Sequence, residues 1–192
     1  MWWGGCMTTP RVQPFSRRVG VPAGAVFGRV YVALLIVQLP LLAVLLTPQS
    51  RSRVSSESVA GVLTVVLIGL VLAGLVVSPA VCARVAPGGA RWRAGSALST
   101  VRALRRDDRR AYLLRLGEWA GIYVLAQCLG GLSALVRPYI WDNPRFGADP
   151  AADRWVFHYG NYATQGVVIY LAVCAATAWY ACRLRQLATD GR

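Results

Sequence analysis

The stretch that decides the fold runs from Val59 to Ala83 and reads VAGVLTVVLIGLVLAGLVVSPAVCA, 25 residues without a charge. A helix that crosses the hydrocarbon core of a bilayer needs about 20 mostly apolar residues, because water is absent there and every backbone N–H and C=O must be satisfied within the segment. This stretch is long enough. We therefore expect it to be a transmembrane helix.

Three further stretches meet the same requirement, at residues 30–47, 116–136 and 163–182. The chain is 56% hydrophobic with a mean hydropathy of +0.45, more than a water-soluble domain usually carries. No remaining stretch is long enough for a fifth span. The sequence predicts an all-α, multi-pass membrane protein whose residues 29–192 form one domain, a bundle of four transmembrane helices.

The arginines predict the orientation. All 21 basic residues are Arg, and 16 of them fall in the segments 1–29, 84–115 and 183–192, which alternate with two segments that hold five. Basic flanks stay on the cytoplasmic side during insertion. We expect both termini in the cytoplasm, with residues 1–28 as a disordered tail. The absence of Lys and the abundance of Ala, Val, Leu and Gly are typical of a GC-rich genome, which indicates a bacterial cytoplasmic membrane.

The N-terminus allows two other interpretations. Arg17 and Arg18 precede an apolar stretch, as in a twin-arginine export signal, but that stretch is longer than a usual signal core and no small-x-small cleavage site follows it. Met7 is an alternative start that would remove the leader before it. N-terminal peptide mass spectrometry distinguishes Met1 from Met7.

Cysteine and histidine usage argues against cofactors. Five cysteines give an odd count without a CxxC spacing, and the predicted topology places none in an extracytoplasmic loop, so we expect no disulfide framework. One histidine, His158, excludes bis-histidine haem ligation within one chain. We find no Ser-His-Asp spacing, metal cluster or phosphate loop, and we expect no metal, no cofactor and no catalytic residue.

Small residues at three- and four-residue steps predict the faces on which the third and fourth spans meet. On the third span these are Gly117, Ala120, Gly121, Val124, Gln127, Cys128, Gly131 and Ala134, and on the fourth Ala163, Gly166, Tyr170, Cys174, Thr177 and Ala181. The sequence predicts that these two faces pack against each other.

Polar residues at membrane depth are costly and need a reason. Gln38 and Gln127 lie mid-span, and Gln38 is followed by Pro40, which removes a backbone donor and predicts a kink. We expect the two amides to bond each other or a freed carbonyl. The alternative is that they line a cavity for a small ligand or ion. Glu118, near the cytoplasmic end of its span, is expected to form an ion pair with Arg115 or Arg110.

The connection at residues 96–115 has apolar residues at helical spacing and arginines on the other side. This pattern predicts an amphipathic helix in the membrane interface that continues into the third span. Its arginines would contact anionic lipid headgroups, and they are Arg102, Arg105, Arg106, Arg109 and Arg110. Nucleic acid is not an expected partner, because no aromatic interleaving or recognised fold accompanies the charge.

The loop at residues 137–161 is unusually aromatic and is expected outside the cell. Asp149 and Pro150 resemble an N-cap and first helical position, which predicts a short helix ending at Tyr159 before Gly160. The aromatic residues suit anchoring at headgroup level. The alternative is an outer binding site for a polar headgroup, with six candidates: Asp142, Arg145, Asp153, Arg154, Trp155 and His158.

Three functional hypotheses follow. The first is a non-enzymatic accessory, scaffold or regulatory subunit, because no charge lies at the midplane and no catalytic constellation is present; its partner would be another membrane protein or a second copy. The second is a small transporter or channel component that uses Gln38 and Gln127. The third is a lipid-binding or enzymatic site at the outer loop.

Overall fold

The computed structural model describes residues 21–48, 57–89 and 92–190. These residues are mainly helical, with one short ribbon of two antiparallel strands. The elements are α1 Gly24–Val37, α2 Leu39–Leu46, α3 Glu57–Val85, α4 Ala97–Asp107, α5 Arg109–Val136, β1 Ile140–Asp142, β2 Trp155–Phe157 and α6 Tyr159–Asp190. Helix α1 begins at Gly24, inside the segment predicted to be a disordered tail. Residues 1–20 of that segment, with the two candidate initiator residues Met1 and Met7, lie outside the described residues.

Within the described residues, three helices are long and apolar enough to cross a membrane: α3, α5 and α6. Together, α1 and α2 meet the same criterion as one broken span or a re-entrant loop, with a bend of 56° between them. The chain is therefore a membrane protein. The helices exceed the predicted spans, and α5 begins at Arg109 rather than at residue 116.

The bend confirms the kink predicted beside Pro40. Gln38 occupies the break, and Pro40 is the second residue of α2, where its missing N–H costs nothing. The carbonyl of Leu35 lies in the last turn of α1, beside the break. That carbonyl accepts a hydrogen bond from the hydroxyl of Tyr170 in α6.

Helix α6 is the centre of the molecule. Most of its membrane segment is buried, and it contacts α1, α2, α3 and α5, whereas the extensive contacts of α5 are with α6 and α4 alone. One core cluster joins Val30, Cys82, Trp92 and Leu184 at the end of the molecule where α4 lies, which we call the basic end. The opposite end, where the ribbon lies, we call the aromatic end.

The face of α5 that contacts α6 is not the predicted one. Ala126 and Gly130 are buried against α6, whereas Gly121, Gln127 and Cys128 are exposed. The prediction is wrong because α5 has two faces of small residues. Ala126 and Gly130 also lie four residues apart, so spacing alone could not distinguish them.

The corresponding stripe on α6 is buried, but it faces α1, α2 and α3. The hydroxyl of Tyr170 donates a hydrogen bond to the Leu35 carbonyl of α1, and the thiol of Cys174 donates to the Oε1 of Gln38 at 3.4 Å. Among the residues of α6 that meet α5 is Ile169, whose Cγ1 would lie 2.4 Å from a Cβ built on Gly130.

The basic connection is divided by a corner. Helix α4 ends at Asp107 and α5 starts at Arg109, so the predicted continuous helix is interrupted at Asp108. The Asp108 carboxylate accepts a hydrogen bond of 3.0 Å from the backbone N–H of Ala111 and caps α5. Ser96 precedes α4, but its hydroxyl does not cap that helix.

The prediction of a short helix from Asp149 to Tyr159 is wrong. Asp142 pairs with Trp155 in the ribbon, and α6 begins at Tyr159 and continues through Gly160. The Asp149 carboxylate accepts from the N–H of Ala151 in a local turn instead of starting a helix. The β-branched and aromatic run from Trp155 to Phe157 favours a strand.

Candidate functional site

A polar side chain is buried among the helices at the bend between α1 and α2. Gln38 is 4% exposed, its Oε1 accepts from the Cys174 thiol, and its Nε2 has no hydrogen-bond partner among the described residues. The amide packs against Gly74 of α3. A cavity of about 100 Å³ adjoins it, walled by Pro40, Leu70 and other apolar residues. The site therefore offers one amide donor in apolar surroundings.

Gly74 is required for this arrangement, because a Cβ built there would lie 2.5 Å from the Gln38 Nε2. Replacing Gly74 with Val should lower the free energy of unfolding by about 1 to 2 kcal/mol, since the buried amide must move. Denaturant titration in detergent micelles measures the effect. Gly69→Val, on the same helix with open space around it, should cause no loss; equal effects of the two variants would contradict the contact.

Gln38 and Gln127, the two glutamines predicted to bond each other, do not meet. Gln38 is enclosed by α1, α2, α3 and α6, whereas Gln127 lies on the exposed face of α5, away from α6. The predicted bond between the two amides is absent in the described structure. The buried amide that does bond a carbonyl is Gln165 of α6, whose Nε2 donates to Gly130 at 3.0 Å.

Tyrosines of α6 satisfy the carbonyls of the broken helix. Besides the bond from Tyr170 at the bend, Tyr162 donates to the carbonyl of Thr47 at 2.6 Å and Tyr159 to that of Leu46 at 3.2 Å, just after α2 ends. These bonds fasten α2 to α6 at the aromatic end. Sequence reasoning missed them, although tyrosines opposite a proline-broken span were the available signal.

Glu118 joins α5 to α6. It bonds Arg115 on its own helix, as predicted, and also accepts from the Nε of Arg183 at 3.2 Å. The Arg183 side chain is 3% exposed, donates to Gln186 at 3.0 Å and lies over the Trp179 ring at 6.0 Å. From the sequence, Arg183 indicated only which side of the membrane its segment lies on. The ion pair between Arg183 and Glu118 was not predicted.

The outer-loop candidates lie on an exposed ribbon and its turn. His158 stacks on Trp141 with ring centroids 6.2 Å apart, and its Nδ1 accepts from the N–H of Asn161 at the start of α6. Arg154 covers the ring of Trp155 at 5.1 Å. Asp142, Arg145 and Asp153 are exposed side chains around these rings. The arrangement resembles an interfacial anchor more than a pocket.

The five arginines singled out on α4 and the start of α5 are all exposed. In the part of the chain that the structure describes, none of them forms an ion pair. Their charge is therefore available to a surface outside the protein. The described ranges contain no group of three or more His, Cys, Asp or Glu that could hold a metal ion.

No protein-family model, curated protein or solved structure matches this chain. The faces and clusters described above therefore carry the functional proposal by themselves.

Proposed function

We propose that this chain is a non-enzymatic accessory or scaffold subunit of a bacterial cytoplasmic membrane, and that the exposed face of α5 binds a helix of a partner membrane protein. The observation that carries the proposal is this face. It consists of Gly117, Ala120, Gly121, Val124, Gln127, Cys128 and Gly131, all exposed. We call it the outward face of α5.

The chemistry of the outward face suits a helix better than lipid. A Cβ built on Gly121 or Gly131 would meet nothing within 4 Å, so another backbone can approach closely there. Gln127 places an amide at membrane depth, where it gains a hydrogen bond only from a polar group on a partner helix. A second helix would therefore satisfy both features at once.

Helix α3 provides the comparison within the same molecule. Its exposed face is made mainly of large apolar residues such as Val65, Ile68, Leu72 and Val76, which match acyl chains, and the open glycines Gly61 and Gly69 lie among them. Two kinds of exposed surface are thus present. The one on α3 suits lipid, and the one on α5 suits a protein.

The proposal includes four spans with both termini in the cytoplasm. The start of α1 packs in the same cluster as Leu184 of α6, and the end of α2 bonds Tyr162 at the start of α6. This supports counting α1 and α2 as one broken span of a four-helix bundle. The arginine distribution supports a cytoplasmic basic end, where the arginines of α4 would contact anionic headgroups.

The two alternatives receive less support. A transport path along Gln38 and Gln127 is disfavoured because the first amide is enclosed and the second lies on the outward face of α5. A site at the outer ribbon would use His158, but one of its ring nitrogens already accepts a backbone hydrogen bond. Interfacial anchoring fits the ribbon better.

Co-purification from native membranes in mild detergent tests the accessory role. A tagged chain should retain a partner membrane protein, and the double variant Gly121→Leu/Gly131→Leu should reduce its yield at least about tenfold, because bulky side chains separate the helices by several ångströms. Quantitative mass spectrometry measures the ratio of partner to chain.

The control is Gly61→Leu/Gly69→Leu on α3, where the glycines are equally open and the partner yield should not change. A wild-type chain that emerges alone would overturn the proposal. Disulfide cross-linking through Cys128 that yields a dimer of this chain, with no other protein, would assign the face to a second copy and would also overturn it.

A further inference from the structure

A second feature of α5 lies at the basic end and shares Gly117 with the outward face. A wide, shallow groove of about 700 Å³ follows almost three turns at the start of the helix, and all of its lining residues belong to α5. It is lined by Arg109, Arg110, Leu113, Leu114, Gly117 and Glu118. The groove thus begins at two arginines and continues over apolar side chains toward the membrane interior.

The walls of the groove match an acyl chain. Leu113 and Leu114 are each about half exposed, and a Cβ built on Gly117 would meet nothing within 4 Å. From Arg109 to Gly117 the helix rises about 12 Å at 1.5 Å per residue. A polar ligand alone would leave this length of apolar surface unfilled.

The mouth of the groove is positive. Arg109 and Arg110 are exposed, and neither forms an ion pair with a described acid. Two nearby acids are engaged elsewhere, because Asp108 caps α5 through the N–H of Ala111 and Glu118 bonds two other arginines. A third, Asp107 at the end of α4, is exposed. Arginine side chains bind phosphate through paired hydrogen bonds, and two of them lie at this end of the groove.

We infer that this groove is a binding site for one anionic diacyl phospholipid. Its phosphate contacts Arg109 and Arg110, and one acyl chain lies along Leu113, Leu114 and Gly117. A zwitterionic lipid is a poorer ligand because its cationic headgroup would lie among arginines. The site goes beyond general attraction to a charged surface, and it does not depend on a partner protein.

Native mass spectrometry of the purified full-length chain tests the site. After exchange in micelles doped with equal amounts of phosphatidylglycerol and phosphatidylcholine, the chain should retain one phosphatidylglycerol. Arg109→Gln/Arg110→Gln should lower this retention about tenfold, as expected for the loss of about 1.4 kcal/mol of charge-assisted bonding. Arg84→Gln/Arg93→Gln removes the same charge from exposed positions outside the groove and should leave retention within about twofold.

A second variant tests the apolar wall. Gly117→Phe should fill the groove and reduce phosphatidylglycerol retention about tenfold without touching the charges, whereas Gly61→Phe, equally open on α3, should not. Equal retention of the two lipids, equal loss in both arginine double variants, or displacement of the lipid by millimolar inorganic phosphate would overturn the inference. Because only the isolated chain is used, these results are independent of those on the partner protein.

Discussion

Replacing Glu118 with Gln is expected to lower the free energy of unfolding by about 3 kcal/mol. Arg183 is almost fully buried between α5 and α6, and its charge is compensated by the Glu118 carboxylate. Without that carboxylate a guanidinium remains buried without its counter-ion. This expected loss of stability is at the lower end of the range for removing one partner of a buried ion pair, because the Glu118 side chain is 34% exposed and water can reach it.

Unfolding in mixed micelles with increasing denaturing detergent measures this loss. Asp107→Asn is the control, because Asp107 is an exposed acid at the end of α4 whose removal changes the net charge equally. Removing Arg183 together with Glu118 should cost less than the sum of the single changes. Additive single effects, or equal effects of the Glu118 and Asp107 variants, would show that the pair does not join the helices.

Replacing Gly130 with Val is expected to lower the free energy of unfolding by about 3 kcal/mol, near the upper end of the range for overpacking. A Cβ at this position would lie 2.4 Å from the Cγ1 and 2.6 Å from the Cδ1 of Ile169. Helix α5 must then move away from α6. The movement would also weaken the bond that Gln165 makes to the Gly130 carbonyl.

The neighbouring residue provides the control for this prediction. A Cβ on Gly131 would meet nothing within 4 Å, so Gly131→Val should leave stability nearly unchanged in the isolated chain. Ile169→Ala in combination with Gly130→Val should restore part of the loss. If the Gly131 variant were the more destabilising of the two, α6 would have to pack on the predicted face of α5, contrary to the structure.

The sequence was sufficient to predict the long apolar helices, because length without charge is a property of each segment alone. The kink beside Gln38 was predictable for the same reason, since Pro40 acts on its own helix. Which face of α5 meets α6 was not predictable. Ala126 with Gly130 and Gly117 with Gly121 have the same four-residue spacing, and only the shape of α6 decides between them.

The ribbon and the interhelical polar contacts depend on residues distant in sequence. The pairing of Asp142 with Trp155 competes with a plausible local helix start at Asp149, and the pairing prevails. The bond from Tyr162 to Thr47 crosses more than 100 residues. Such contacts leave no periodic signal, which is why the residues that hold α2 and α5 to α6 were found only in the structure.

The central position of α6 has a consequence for biosynthesis. This helix follows all the others along the chain, so α1 to α5 leave the ribosome and enter the bilayer before the element around which they pack. Until then α5 has extensive contacts with α4 alone, and the carbonyl at the bend of the first span has no tyrosine to bind. The packing of α1 to α5 can therefore be completed only after α6 itself has entered the bilayer.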